Sequence, residues 1–266
     1  MKITLASVKR RPLVFATAVT LGFVLLIAAG NGLGGGRDDA SGIAIEGLTR
    51  VAVALAACGV AVALGWAELG FSAPHGARPW TMLLLPFVYL GALYPLFFTG
   101  SWGPNLKDPG ITALVAASSF GAGFAEELIF RGLMFGTLLA AWSGSGKGLA
   151  RAAVASSLFF SLIHILNALV GHQLLRVAAQ VAWAFLLGIA FAYFVRLAGS
   201  VWPAAVFHGT LDAIVATNRM GKTIVLSPGK AVWMVLASAP VFVYAVVLAR
   251  RRRLVGTEAT VVGGSA

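Results

Sequence analysis

Polar positions in this chain are few and unevenly placed, and long apolar runs fill the space between them. Eight such runs can be marked, at approximately 12–30, 43–66, 80–100, 111–142, 149–170, 174–197, 199–217 and 231–249. Most have the roughly 20 residues that an α-helix needs to cross the hydrocarbon of a bilayer. The run at 111–142 is longer, which predicts a tilted helix or one that projects beyond the bilayer. The run at 199–217 is short and opens on Trp202-Pro203, a dipeptide suited to a first helical turn. Connections rich in Gly, Pro and Ser separate the runs, as at 32–36, 72–79, 102–110 and 143–148. Trp66, Trp80, Trp102, Trp142 and Trp202 fall near proposed ends, where an interfacial aromatic belt is expected. The pattern predicts an all-α polytopic membrane protein with about eight transmembrane helices. A single membrane domain is expected over 1–253, with its motif-bearing core at about 111–217. A disordered tail is expected over 254–266, which ends Gly263-Gly264-Ser265-Ala266.

Composition agrees. The 266 residues are 59% hydrophobic and 11% charged, against about 25% charged for a soluble domain, and no polar stretch is long enough for a separate soluble unit. The net charge of +11 raises nucleic acid as a partner, but the positions of the charges exclude it. Lys2, Lys9, Arg10 and Arg11 precede the first run, and Arg250 to Arg253 follow the last; basic residues flanking spans mark the cytoplasmic side. No basic surface is interleaved with aromatics as a nucleic-acid platform would be. With an even number of spans both termini face the cytoplasm, together with Lys147 and Arg151. Arg219, Lys222 and Lys230 then fall outside and count against that orientation. Cys58 is the single cysteine, so neither an internal disulfide nor a multi-cysteine metal site is available. It reads as a packing residue. The N-terminus resembles a signal peptide, but its apolar stretch is as long as a span, and an uncleaved first helix is expected.

Three of the runs carry ionisable residues that a span ordinarily excludes: Glu126-Glu127-xxx-Arg131, Phe160-xxx-His164 and His208-xxx-Asp212. A charge at the centre of a spanning helix costs about 2.5–3.5 kcal/mol on insertion scales, so such residues face an interior cavity. Residues four apart share a helix face, which lets Glu127 pair with Arg131 as a structural ion pair. Glu126 points about 100° away and is free to act as a general base. The bland alternative is that all three only fasten helices together. His164 has Asn167 near the same face. A neutral imidazole can bind a metal or hold a water, although a lone histidine in an apolar helix is more often a hydrogen-bonded packing residue. His208 and Asp212 are also four apart, so the carboxylate can orient the imidazole or simply tie the helix. Glu126, His164 and His208 supply a donor set for a divalent metal, zinc first; the same residues also serve a metal-free mechanism. HExxH is absent, and so is a serine or cysteine nucleophile motif.

The order and spacing of these three motifs resemble those of the CPBP intramembrane proteases. That family comprises the CAAX prenyl endopeptidases of the Rce1 type and bacterial relatives, some linked to bacteriocin self-immunity. The resemblance covers about 111–217. It implies an eight-helix membrane fold around a polar cavity open toward the cytoplasmic side, in a bacterial cytoplasmic membrane. It further implies that Glu126 and His164 activate a water, that His208 and Asp212 support the oxyanion or a metal, and that Glu127 and Arg131 shape the site, with Asn167 beside them. The eukaryotic CAAX proteases carry Asn where this chain has Asp212, which weakens a strict oxyanion role there. The implied partner is a membrane-embedded or membrane-anchored peptide or protein substrate. Two other classes compete: a non-catalytic or immunity-type membrane protein of the same fold, and a proton-coupled transporter using the same residues as a relay. The chain shows neither repeated motifs nor the matched helix breaks of transporters.

Overall fold

A computed structural model describes residues 4–34, 39–99, 103, 107–222 and 225–262. Helix α1 (Leu5–Arg10) is a short surface helix closed by a Thr4/Ser7 capping box. It leads into α2 (Pro12–Gly34), then α3 (Ala40–Leu64), α4 (Arg78–Thr99), α5 (Pro109–Glu127) and α6 (Gly136–Trp142). Then come α7 (Gly148–Leu162), α8 (Leu174–Ala198), α9 (Trp202–Arg219) and α10 (Pro228–Val262). Where the spans begin, polar side chains end the loops: Asp39 and Asp108 accept from the N–H groups of Gly42 and Ile111 at 2.8 and 2.9 Å, as N-caps do.

Six of the helical stretches are long and apolar enough to cross a membrane, which makes this an integral membrane protein: Pro12–Gly34, Ala40–Leu64, Pro109–Trp142, Gly148–Ala168, Leu174–Ala198 and Pro228–Arg251. The expected count of eight is therefore not reached on that criterion. The shortfall at α9 has a physical reason. This 18-residue helix carries His208, Asp212, Asn218 and two threonines, Thr210 and Thr217, and its polarity is tolerable because it lies inside the bundle, against α5, α4 and α8. At α4 the side chains of 95–99 are not described. The run expected to end at 249 continues as α10 helix to Val262, so the expected disordered tail falls partly on helical backbone and partly, at 263–266, outside the described residues.

The long fourth run resolves into three parts. Between α5 and α6 the chain passes through a π-helical turn, Leu128–Phe135, every residue of which is buried. Together they make a 34-residue stretch, about 50 Å at 1.5 Å per residue, longer than the ~30 Å hydrocarbon layer. Helix α7 likewise tightens into a 3₁₀ turn at Ile163–Ala168. Leu, Val and Trp side chains of α2, α3 and α10 stand exposed on the outside of the bundle, among them Leu25, Leu33, Leu55 and Trp233, where lipid would meet them.

The two ends of the bundle differ. One gathers α1, which packs on α6, and the loops 65–77, 143–147 and 199–201. Val201 N–H donates to the Gly70 carbonyl at 2.8 Å, and the Trp202 indole to that of Phe71 at 2.7 Å. Ala249, near the chain's C-terminal basic run, lies at this end beside Ser145 and Arg196. The opposite end holds Gly103, whose N–H donates to Asn218 at 2.8 Å, and Gln173, whose amide bonds both backbone groups of Leu226.

Candidate active site

Helices α5 and α9 pack on one another more closely than side chains on both would allow. A Cβ on Gly123 would lie 2.9 Å from both the Asp212 carboxylate and the His208 backbone, and one on Gly209 would lie 2.5 Å from the Phe120 carbonyl. Bare backbone at both positions brings the glutamate-bearing end of α5 against the face of α9 that carries His208 and Asp212.

Glu127 is fully buried and makes two contacts through one oxygen. Oε1 lies 3.3 Å from Arg131 Nη1, itself fully buried, and 2.9 Å from His208 Nδ1. The pairing with Arg131 is the one the four-residue spacing suggests. The bond to His208, 81 positions away in sequence, is not legible locally, and it changes the division of labour: the carboxylate that orients His208 is Glu127. Asp212 Oδ1 lies 3.7 Å from the other ring nitrogen, Nε2, too far for a hydrogen bond. Phe160 explains why the motif carries an aromatic. The Arg131 guanidinium sits 4.1 Å over its ring, a cation–π contact that helps a buried charge. The same ring packs edge-on against His164 and His208, at 5.2 and 6.0 Å between centroids.

Glu126, with a side chain 17% exposed, looks away from Arg131 and has its Oε2 4.0 Å from His208 Nε2. With Nδ1 engaged by Glu127, Nε2 is the nitrogen that faces Glu126 and Asp212. The donor atoms of Glu126, His208 and Asp212 all lie within 4.8 Å of one another. Two carboxylates and an imidazole whose far nitrogen is held by a further carboxylate suit a divalent cation by donor chemistry. That group takes in Asp212; His164, proposed from sequence as the third donor, is outside it.

His164 nevertheless shares the cavity. A space of about 310 Å³ is lined by Glu126, His164, His208 and Asp212 together with Phe160 and Asn167. His164 Nε2 is buried without a hydrogen-bond partner among the described residues, so it is free to meet whatever enters. Asn167 is turned instead to Gln180, donating to its side-chain oxygen at 3.0 Å. The far wall of the cavity brings residues that the sequence reading did not single out: Tyr94, Gln180, Arg176, Arg219 and Leu226. These belong to the bundle end opposite α1 and the 143–147 loop, so the cavity opens there. A second, largely apolar cleft, lined by Phe23, Ile27, Ala122, Ile163 and Val170, reaches Glu126 and His164 from the side of α2.

Against known families, residues 108–214 match the model described as type II CAAX prenyl endopeptidase Rce1-like. Residues 108–214 form an Rce1-like domain. The match takes in every residue of the three motifs, and it supports CAAX-type intramembrane protease function, hence a hydrolase. Helices α2, α3, α4 and α10 lie outside the Rce1-like region. No curated protein and no solved structure was found to match the chain.

Proposed function

We propose that this protein hydrolyses a peptide bond of a membrane-embedded or membrane-anchored substrate, with a water activated by Glu126. The observation that carries the proposal is the convergence of Glu126, His164, His208 and Asp212, from three helical stretches of the Rce1-like region, on one cavity. Each group has a role set by its surroundings. Glu126, whose Oε2 lies 4.0 Å from His208 Nε2 and is not tied up by Arg131, takes a proton from water held between it and His164. The water oxygen bonds to the scissile carbonyl carbon, and the developing oxyanion is stabilised from His208 Nε2. Glu127 fixes that ring through Nδ1 and favours its charged form, as an oriented donor requires. When the tetrahedral intermediate collapses, the C–N bond breaks and Glu126 returns its proton to the leaving nitrogen. Asp212, beside His208, holds the ring's electrostatic environment and does not serve as the oxyanion donor.

A divalent metal would be held by Glu126, His208 and Asp212 and would polarise the carbonyl and the attacking water. The peptide enters where the apolar cleft from α2 meets Glu126, which keeps the hydrophobic part of a substrate in lipid-like surroundings until its backbone reaches the site.

The test is cleavage of a membrane-peptide pool by the full chain in liposomes, read by mass spectrometry, beside Glu126→Gln and with or without a strong chelator. New peptide termini from the wild type and none from Glu126→Gln are expected. Equal product from both would remove Glu126 as the base, and no product from either would remove the protease reading.

A further inference from the structure

The cavity has a second charged feature at the end away from Glu126. Arg176, in the first turn of α8, and Arg219, in the last turn of α9, both line it. They are near enough to repel each other. Neither makes a hydrogen bond or ion pair among the described residues. Two guanidinium groups on one cavity without a counter-charge among the described residues are unfavourable, and the position of Arg176 adds to this, because a cation at a helix N-terminus opposes the helix dipole.

Among the described residues the chain has no anion to offer them. Of nine acidic residues, Asp39 and Asp108 cap α3 and α5, Glu46 pairs with Arg50, and Glu126, Glu127 and Asp212 belong to the reacting centre. Glu68 lies by Gly65 in the loop at the far end of the bundle, and Asp38 and Glu258 are not among the described side chains. The α8 N-terminus is open as well: Gln173, its N-cap, makes no capping bond because its amide is committed to Leu226. His172, in the loop before α8, is held below the ordinary imidazole range by partial burial and then by Arg176 and Arg219, so both cations bear on that loop.

We infer that Arg176 and Arg219, with the open N-terminus of α8, bind a carboxylate carried by the peptide substrate on one side of its scissile bond. The inference rests on the protease reading above. Arg219 lies seven residues beyond Asp212 on α9, about 10 Å along the axis, so an extended peptide spans from the reacting centre to the arginines in a few residues. A guanidinium pair with helix N–H groups suits a planar carboxylate, which arginine can hold through two parallel hydrogen bonds. That carboxylate is either a free C-terminus or an acidic side chain.

Binding separates this inference from the chemistry. Full-length Glu126→Gln protein in neutral phosphatidylcholine nanodiscs is titrated with three fluorescent hydrophobic peptides of one sequence: free C-terminus, amidated, and amidated with one glutamate near its end. At least tenfold tighter binding of a carboxylate-bearing peptide over the plain amide is expected. Arg176→Gln and Arg219→Gln should each abolish that difference, and Arg176→Lys should restore part of it. The peptide that gains identifies which source of carboxylate is read. Equal binding of all three would overturn the inference even if the wild type cleaves them. A loss of binding caused equally for all three by phosphatidylglycerol would overturn it too, by assigning the arginines to lipid headgroups. If the affinity pattern appears and the wild type cleaves nothing, the anion site stands and the protease reading falls.

Discussion

Adjacent glutamates in this protein should respond to the same substitution in opposite ways. Glu127 is fully buried, touches a fully buried Arg131 at 3.3 Å and orients His208 at 2.9 Å. Glu127→Gln removes one member of that pair and leaves a guanidinium in the protein interior without a counter-charge. Breaking a buried ion pair in this way costs about 3–5 kcal/mol. At about 2–4 °C per kcal/mol for a chain of this size, the melting temperature should fall by about 6–20 °C. Glu126→Gln removes a carboxylate that stands 4.0 Å from the His208 ring but shares that space with Asp212 and Glu127, so the attraction lost is offset by relief of like-charge repulsion and the melting temperature should hold or rise slightly. Thermal unfolding in detergent, followed by tryptophan fluorescence, checks both. The double variant Glu127→Leu/Arg131→Met, which removes the pair together, should recover at least half of the loss, because an apolar pair needs no counter-charge. A Glu127→Gln protein that melts within 2 °C of the wild type, or a Glu126→Gln protein that falls as far, would refute the assignment of structural and reacting carboxylates.

Gly209→Ala should push α9 off the Phe120 carbonyl, destabilise by about 1–3 kcal/mol and reduce turnover by about a hundredfold; turnover unchanged in hydrolysis assays would mean the α5–α9 spacing does not set the chemistry. If the protein binds zinc, dialysis followed by elemental analysis should show stoichiometry lost in Asp212→Asn and His208→Ala and kept in His164→Ala. Loss confined to His164→Ala would restore the donor set read from sequence. His208→Ala should lower stability by about 1–3 kcal/mol through the bond lost to Glu127 and also remove hydrolysis; a fully active His208→Ala enzyme would end the oxyanion assignment.

The helical membrane class was legible because apolar runs of span length leave little else for the chain to become. The Glu127–Arg131 pair was legible because its partners are four apart on one helix. What local reading lost came from backbone irregularity and from distance. The π turn at Leu128–Phe135 has no marker in its apolar sequence, yet it carries Arg131. The Glu127–His208 bond joins α5 to α9, and its natural rival, His208–Asp212, had the familiar spacing that drew the orienting role to Asp212. The count of spans failed at α9 for the opposite reason: a helix that carries the site is polar, and a tally by hydropathy discounts it. Arg176 and Arg219 sit at helix ends, where a basic residue reads as an interfacial anchor. Only the folded cavity turns them toward the same space as Glu126.

The mouth of that cavity lies at the bundle end opposite α1 and the 143–147 loop, and this ties two separate expectations into one question of sidedness. Termini in the cytoplasm and a cavity open to the cytoplasm exclude each other in this architecture, since one rotation of the molecule across the bilayer exchanges both. The terminal end carries Lys9, Arg10, Arg11, Arg78, Lys147, Arg151, Arg196, Arg250 and Arg251, against Lys107, Arg176, Arg219, Lys222 and Lys230 at the other. That imbalance favours termini inside and an opening toward the extracytoplasmic face. In a Cys58→Ser background, an impermeant thiol reagent added to intact cells should then label Val225→Cys and spare Ser145→Cys. The reverse pattern would put the cavity in the cytoplasm and the basic termini outside. Either way the polar mouth of the cavity opens on one face only, so sidedness selects which pool of membrane proteins can reach Glu126 through it.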